Sequence, residues 1–196
     1  FTEHQKKLSK QRNPFIKYVK IPNGVTVSQF SNAKPLKLNL QKPIIMTSSA
    51  LVPMKRINLI IDAVAQIDAS LLIVGKGSEE DKITKQCEEK LQGRHEIINL
   101  PYSEMPSAYK SADLFTFATS PWESFGIVLI EAMAAGLGIV ATDDPIRREI
   151  IGNTGLFVDP TNTKAYADTL RKALSINWES KSRQQVEKFS WDKIAS

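Results

Sequence analysis

The sequence is poor in the residues that build disulfide frameworks and metal clusters. Its 196 residues include one cysteine, Cys87, and two histidines, His4 and His95, which lie far apart in the chain. A single cysteine excludes a disulfide framework and a thiolate cluster, and no spacing of histidines and carboxylates suggests a metal centre. Cys87 shares a helical face with Ile83 and Leu91, so we predict that it is a core residue. We therefore expect no bound metal.

Long hydrophobic runs and basic stretches with interleaved aromatics are also missing. The longest apolar run covers residues 132–141, which is well short of a bilayer span, and no signal peptide is recognisable. The net charge of +5 is mild, and this pattern disfavours nucleic-acid binding. A basic surface is compatible with an anionic substrate or with a loose contact with acidic lipid. We interpret the chain as a piece of a larger cytoplasmic protein that can contact a membrane surface.

Short apolar runs alternate with longer amphipathic segments from residue 43 onward. Continuously apolar runs are typical of parallel strands that are covered on both faces, and apolar residues at helical spacing separate them. This alternation predicts an α/β fold with a doubly wound, mostly parallel sheet. The predicted strands are residues 44–47, 71–74, 96–99, 114–117, 138–141 and 156–158.

The two ends of the chain depart from this pattern. Residues 1–20 are polar and basic, with a helix predicted around residues 5–11, and residues 21–25 read as a turn. Residues 26–43 look like a connector, and one or two short helices are expected after residue 177. We expect one compact domain over residues 31–178, preceded by a segment at 1–30 and followed by a helical extension at 179–196.

The most informative segment is residues 120–136, Ser-Pro-Trp-Glu-Ser-Phe-Gly-Ile-Val-Leu-Ile-Glu-Ala-Met-Ala-Ala-Gly. It places Glu123 in a turn before a helix and Glu131 inside that helix, with Gly126 where the helix is predicted to start. Unpaired amides at a helix start attract anions, whereas carboxylates on either side repel an anion unless they bind other groups. A diphosphate with hydroxyl-bearing groups at both ends, as in a nucleotide-sugar, satisfies both requirements.

The alternative interpretation makes Glu123 a solvated turn residue and Glu131 a surface residue. The helix around Glu131 is apolar nearly all round, which indicates that it is buried. A buried carboxylate is costly without partners, so this pattern favours a functional role.

Other loops are expected at the same edge of the sheet, because ligands of open α/β sheets bind at the carboxyl ends of strands. Lys55 can reach a phosphate there, although a solvated lysine at a helix start is equally compatible. Gly75 and Gly77 allow close approach to a ligand, although a structural turn is the commoner use of such glycines. Tyr102 follows the third strand in a loop that can hold a flat base. The segment Asp143-Asp144-Pro145 is interpreted as a helix N-cap in preference to an acid pair.

Together these residues resemble the nucleotide-binding C-terminal lobe of retaining GT-B glycosyltransferases (glycosyltransferase group 1, family 4-like). The two glutamates with seven residues between them, followed by Ala-Met-Ala-Ala-Gly at 132–136, carry the specific part of the likeness. Four less specific segments also resemble the family and occur in the same order along the chain. They are Ile-Pro-Asn-Gly-Val at 21–25 as the junction between lobes, Leu-Val-Pro-Met-Lys at 51–55 as the phosphate loop, Val-Gly-Lys-Gly at 74–77 as the second-strand turn, and residues 153–160 as the last strand.

The resemblance implies a Rossmann-like donor lobe that takes part in transfer of a hexose with retention of anomeric configuration. Glu123 and Lys55 are its expected catalytic residues: Glu123 accepts hydrogen bonds from the donor sugar, and Lys55 adds a positive charge at the diphosphate. Glu131 is expected to bind the ribose hydroxyls, and the backbone of Tyr102 the base. The residues expected to hold the nucleotide are Glu131, Ser124, Phe125, Gly126, Ile127, Val128, Tyr102, Ala50 and Gly75.

The partners implied by the resemblance are a UDP- or GDP-linked sugar as donor and a glycan or lipid-linked sugar as acceptor. No tightly bound cofactor is expected, since the family usually needs no metal. The acceptor is expected to bind an N-terminal lobe that residues 1–196 lack apart from its last helix. We therefore expect this chain alone to bind donor weakly and not to turn over.

The chain departs from the family's pattern at the phosphate loop. The family has Gly-Arg where this sequence has Ser49 and Ala50, and Thr26 replaces an aspartate of the lobe junction. A guanidinium is a strong phosphate ligand, and its loss is expected to cost about 2–4 kcal/mol of transition-state stabilisation, by analogy with an oxyanion donor. Either Lys55 and Arg56 compensate, or the donor site is unusual, or catalysis is impaired. A non-catalytic nucleotide-sugar-binding module is thus the alternative function, and a nucleotide-sugar epimerase is a third that the two glutamates disfavour.

Overall fold

The computed structural model describes residues 2–13, 15, 23–120, 123 and 125–194. Six strands form one sheet in the order β3-β2-β1-β4-β5-β6, and each neighbouring pair is parallel. The predicted doubly wound parallel sheet is confirmed, and each predicted strand lies within one residue of its observed bounds. The strands are β1 (Ile44–Ser48), β2 (Ser70–Val74), β3 (His95–Ile98), β4 (Leu114–Phe117), β5 (Gly138–Thr142) and β6 (Gly155–Val158).

Helices connect the strands and cover both faces of the sheet. Single 3-10 turns at Pro53–Lys55, Tyr102–Glu104 and Glu187–Phe189 complete the described secondary structure. The helices are α1 (Glu3–Arg12), α2 (Val27–Ser31), α3 (Ile57–Val64), α4 (Glu80–Leu91), α5 (Met105–Ser111), α6 (Ile127–Ala134), α7 (Pro145–Ile151), α8 (Thr163–Leu174), α9 (Glu179–Val186) and α10 (Trp191–Ile194).

The core consists of two clusters, one on each face of the sheet. Ile45 and Leu71 point to the cluster formed with α3, α4 and α8. Met46 and Leu72, their neighbours in sequence, point to the cluster formed with α2, α5, α6 and α9. Both sides of each central strand are therefore buried, which explains why these strands are apolar runs rather than alternating patterns. Cys87 is buried in the first cluster, as predicted.

Helix α6 lies at the centre of its face and starts at the carboxyl edge of the sheet. Its side chains from Leu129 onward are buried, which follows from a sequence that is apolar nearly all round. Gly126 precedes it with φ +79°, a conformation that favours glycine, and an added Cβ would lie 3.2 Å from the ring of Phe117. The predicted helix start is confirmed, and it brings the backbone of residues 126–128 to the edge where ligands bind.

The C-terminal residues pack against α6. Helix α9 contacts α6, the Ser182 hydroxyl donates to the carbonyl of Leu137 at 2.7 Å, and Ser190 pairs with Val25 in an isolated parallel bridge. The helices expected after residue 177 are confirmed. The division of the chain at residues 30 and 178 remains a prediction, and Ile21 and Pro22 of the predicted lobe junction lie outside the described residues.

The connector expected over residues 26–43 contains helix α2, which the sequence analysis did not predict. Its five residues are too few to show a period. Phe30 is buried and packs edge-on against Tyr109, with 5.7 Å between ring centroids. This packing, rather than local propensity, accounts for the helix.

Within the described ranges, every helix is too short or too polar to cross a membrane.

Candidate functional site

A cavity of about 320 Å³ opens beside the first turn of α6, at the carboxyl ends of β1 and β4. Asn23, Ser48, Ser49 and Phe117 form part of its wall. Most of the predicted site residues form the rest, although they come from two separate loops. These residues are Lys55, Glu123, Phe125, Gly126, Ile127 and Val128.

The ammonium of Lys55 and the carboxylate of Glu123 form an ion pair inside this cavity. Each side chain is only 16% exposed, so the interpretation of Lys55 as a solvated surface lysine is wrong. The ammonium also lies 5.6 Å from the centroid of the Phe117 ring, within cation–π range. The amide of Ser120 donates to the carbonyl of Met54 at 3.0 Å and thereby ties the two loops together.

The start of α6 presents backbone amides to the cavity. Gly126 is the N-cap and has no side chain with which to cap the first turn. Ile127 and Val128 are its first helical residues, and the amides at these positions have no acceptor within an α-helix. Together with the positive end of the helix dipole, they form a site that favours a bound anion.

Glu131 lies in the second turn of α6 and is 4% exposed. The Tyr109 hydroxyl donates to its Oε2 at 2.8 Å. Burial raises the pKa of Glu131, and hydrogen bonds from Tyr109 and Tyr102 lower it by less. The inference that Glu131 is buried and partnered is therefore correct, and its partner comes from α5.

Tyr102 connects the loop after β3 to this carboxylate. Its side chain is 62% exposed and lines a neighbouring groove of about 420 Å³ together with residues of α2 and α5. Partial burial raises the pKa of Tyr102, and the negative charge of Glu131 raises it further. The predicted base-contact loop and the predicted ribose carboxylate are thus adjacent.

Four predicted residues that the structure describes do not line the cavity: Glu131, Tyr102, Ala50 and Gly75. Ala50 is exposed and lies outside its wall. Gly75 lies against the backbone just before the predicted phosphate loop (residues 51–55): it has φ +149°, and an added Cβ would overlap the carbonyl oxygen of Ser49. Its structural role is the close approach of two backbones, and a contact with ligand remains a prediction. Ser124 lies outside the described residues.

Two residues that hold the site in place were not predicted from the sequence. The helical spacing of Tyr109 with Met105, Ala108 and Ala112 indicates only a core position, although a buried carboxylate needs a donor and tyrosine supplies one. Arg147 was not singled out, yet its guanidinium is fully buried and donates to the carbonyl of Glu123 at 2.8 Å. The only sequence feature near Arg147 is the Asp-Pro pair that begins three residues before it, and that pair indicates a helix start rather than a site residue. Asp144 caps that helix as predicted, accepting hydrogen bonds from the amides of Ile146 and Arg147.

Among the residues that the structure describes, no group of three or more histidine, cysteine or acidic side chains is placed to hold a metal ion. What the cavity offers is a set of backbone amides, one ammonium and the carboxylate of Glu123, while the carboxylate of Glu131 belongs to the next turn of α6. Such a set suits an anion that carries hydroxyl groups.

Six parallel strands in this order, with helices on both faces, define the class of Rossmann-like α/β domains. Within this class, the family model described as glycosyl transferases group 1 matches residues 28–190. The chain belongs to this family, which confirms the resemblance inferred from the two glutamates.

Comparison with individual proteins agrees with the family. A phosphatidyl-myo-inositol mannosyltransferase of Mycobacterium leprae (strain TN) is 32% identical over 192 residues, which cover 91% of this chain and 51% of that protein. The chain thus spans about half the length of the curated relatives that it matches.

Solved glycosyltransferases share the fold. A sucrose-phosphate synthase from Thermosynechococcus elongatus superposes with a TM-score of 0.81 at 25% identity, covering 98% of this chain and 54% of that one. The pneumococcal O-GlcNAc transferase GtfA, in complex with UDP and GlcNAc, superposes with a TM-score of 0.79 at 18% identity, covering 98% of this chain and 42% of that one. The expected GT-B type of fold is therefore confirmed.

Proposed function

We propose that this chain is the donor-binding lobe of a retaining hexosyltransferase. The enzyme takes a hexose from a UDP- or GDP-linked sugar and passes it to an acceptor with the anomeric configuration unchanged. One observation carries the proposal: the start of α6, which no side chain caps, lies in the sequence between two largely buried carboxylates, Glu123 before the helix and Glu131 in its second turn. Amides suit a diphosphate, and carboxylates suit the hydroxyls of the groups at its two ends.

The diphosphate lies on the amides of residues 125–128. Lys55 provides the positive charge next to them, and its ammonium is already inside the cavity. As the bond between the sugar and the diphosphate breaks, negative charge grows on the departing phosphate oxygen. Fixed amides and an ammonium stabilise that charge without reorganising, which is the main electrostatic contribution to catalysis.

The two carboxylates orient the ends of the donor. Glu123 accepts hydrogen bonds from hydroxyls of the hexose, and Glu131 accepts them from the ribose. Tyr109 supports the second role, because it holds one oxygen of Glu131 in place. The backbone of Tyr102, next to Glu131, contacts the base.

The acceptor is a glycan or a lipid-linked sugar, in a biosynthetic pathway for polysaccharide, glycan or glycolipid. Support comes from the mannosyltransferase relative, whose name specifies a phosphatidyl-myo-inositol acceptor. UDP in the GtfA complex supports a nucleoside diphosphate product. The enzyme works in the cytoplasm and contacts the membrane surface when its acceptor is lipid-linked.

The acceptor binds a second lobe. Residues 1–30 form the end of that lobe and the junction, residues 31–178 form the donor domain, and residues 179–196 form a helical extension. The extent of the match supports this division, since the chain covers about half of its mannosyltransferase relative. Residues 1–196 alone are therefore expected to bind donor without transferring the sugar.

A non-catalytic nucleotide-sugar-binding module is the second candidate. Ala50 favours it, because it supplies no cation at the position where the family has arginine. In that case the cavity still binds nucleoside diphosphates, but the full-length protein transfers no sugar.

The test is a transfer assay with the full-length protein and a panel of UDP- and GDP-hexoses, with the anomeric configuration of the product read by NMR. The proposal predicts product of unchanged configuration and a loss of at least about a hundredfold in rate for Glu123→Gln. Binding without transfer by any donor establishes the second candidate. Transfer with inversion, or an unchanged rate in Glu123→Gln, contradicts the proposal.

A further inference from the structure

Arg147, on α7, has a fully buried guanidinium that bonds to the backbone of the site. Its Nη1 donates to the carbonyl oxygen of Glu123 at 2.8 Å, and its Nη2 donates to the hydroxyl of Thr119 at 2.9 Å. Both acceptors belong to the Glu123 loop (residues 118–126), which connects β4 to α6. One side chain thus bonds to this loop at two points.

The guanidinium also forms an ion pair with Asp144, the residue that caps its own helix. Its Nε lies 3.3 Å from Oδ2 of Asp144, whose other oxygen caps α7. Its Cζ lies 5.9 Å from the centroid of the Phe117 ring. A planar guanidinium with two hydrogen bonds to the loop and an ion pair at Nε can set the position of its acceptors more closely than a flexible ammonium can.

Arg147 does not line the cavity, so it is not placed to bind a ligand directly. A buried charge is costly unless it is paired and hydrogen-bonded. Here two of its bonds go to the segment that carries the carboxylate assigned to the donor sugar. Glu123 is therefore restrained at two points, at its carboxylate by Lys55 and at its carbonyl by Arg147.

We propose that Arg147 is a positioning residue for sugar transfer: it fixes the main chain of Glu123 and so aligns the Glu123 carboxylate with the hexose. This inference rests on the proposed function, since it assumes that Glu123 contacts the donor. Arg147 acts through Glu123 and does not touch the reacting atoms.

The first test measures kcat and the KM for donor in the full-length protein carrying Arg147→Lys. Lysine keeps the charge but cannot bond to both loop acceptors in the geometry of the fork. We expect kcat to fall about 10- to 100-fold, as for a misplaced catalytic group, while KM for donor changes less than about threefold. Arg148→Met is the matched control, because Arg148 is the next residue, is 58% exposed and pairs with Asp143. Its kcat stays within about twofold of the wild type.

A second test does not depend on sugar transfer. Hydrogen–deuterium exchange of residues 118–126 is compared between the wild type, Arg147→Lys and Arg148→Met at a temperature where all three are folded. We expect faster exchange only in Arg147→Lys. A kcat equal to that of Arg148→Met, or exchange equal to that of the wild type, overturns the inference. If the wild type transfers no sugar with any donor, the proposed function fails, and the exchange result still decides whether Arg147 positions the loop.

Discussion

Lys55 and Glu123 neutralise each other inside the cavity, although both are assigned to the donor. The ammonium and the carboxylate form an ion pair, and each side chain is 16% exposed. Under the proposed function, a bound diphosphate would compete with Glu123 for the ammonium of Lys55. Donor binding would then exchange one ionic partner for another, and the released carboxylate would become available to the hexose.

The exchange of partners predicts opposite effects of Glu123→Gln on binding and on catalysis. Without the carboxylate, the ammonium of Lys55 is unpaired before the ligand arrives. We expect the sugar-free nucleoside diphosphate to bind about three- to tenfold more tightly, which corresponds to roughly 0.7–1.4 kcal/mol, while sugar transfer is lost. Isothermal titration calorimetry with UDP and GDP measures the affinity. Lys55→Met is the control and weakens the same binding. Weaker binding of both diphosphates to Glu123→Gln would show that the pair does not compete with the ligand.

Neutralising Glu131 is expected to stabilise the fold at the expense of binding. Because burial raises the pKa of this carboxyl, the folded state disfavours its ionised form. The resulting loss of folding stability is absent below the usual carboxyl pKa of 4.5. It grows as the pH rises above that value and becomes constant above the pKa of the folded state. Glu131→Gln removes this titration and can still accept the hydrogen bond from Tyr109.

The measurement is the melting temperature of both proteins from pH 4 to pH 8. We expect the melting temperature of Glu131→Gln to exceed that of the wild type by an amount that increases with pH. Each kcal/mol of folding free energy corresponds to about 2–4 °C in Tm. The variant also binds donor more weakly, because an amide accepts from the ribose with one oxygen only. An advantage that shrinks as the pH rises would mean that the hydrogen bonds to the charged carboxylate outweigh its burial.

Removing the hydroxyl of Tyr109 is expected to affect both stability and donor binding. In Tyr109→Phe, Oε2 of Glu131 loses the hydrogen bond from the Tyr109 hydroxyl, which costs about 1–3 kcal/mol of folding free energy. Tyr166→Phe is a matched control, since Tyr166 is also fully buried, shares a hydrogen bond with Thr116 and lies on the opposite face of the sheet. Chemical denaturation measures the stability of both variants, and a donor titration measures the affinity. Only Tyr109→Phe should lose affinity; equal losses in both variants would indicate a general effect of destabilisation.

Gly75 is expected to tolerate no side chain, because the backbone just before the phosphate loop lies against it. The amides of Ser49 and Leu51 donate to the carbonyls of Val74 and Lys76, at 3.1 and 2.9 Å. In Gly75→Ala the new Cβ overlaps Ser49, so we expect a loss of more than about 2 kcal/mol together with weaker diphosphate binding. Gly93→Ala is the control, since Gly93 has φ +85° but no atom within 4 Å of an added Cβ. It should cost only the strain of its backbone, about 1–2 kcal/mol. Equal stability of the two variants would exclude the contact with Ser49 as the cause.

The sheet could be predicted from the sequence because its strands carry their own signal. A run such as residues 114–117 is apolar at every position, and that pattern has few explanations other than a strand covered on both faces. The start of α6 could be predicted equally well, since Gly126 precedes an apolar stretch that ends at another glycine. In both cases the information lies within a short segment.

The residues that complete the site could not be predicted in this way. The hydrogen bond between Tyr109 and Glu131 joins two helices through residues that are 22 positions apart, and Arg147 reaches Glu123 over 24 residues. Tyrosine and arginine are common at ordinary core and surface positions of helices. The sequence therefore does not mark Tyr109 and Arg147 as parts of a site. Pairings of this kind depend on how helices pack on the sheet, which a local pattern does not specify.

The most direct test of the account is a crystal structure of the protein with a bound nucleoside diphosphate hexose. We predict that the diphosphate lies at the first turn of α6, with the carboxylate of Glu123 on the hexose hydroxyls and that of Glu131 on the ribose. The ammonium of Lys55 should then contact a phosphate oxygen. A complex in which both carboxylates point away from the ligand, or in which the diphosphate binds elsewhere on the sheet, would contradict the assignment of this site.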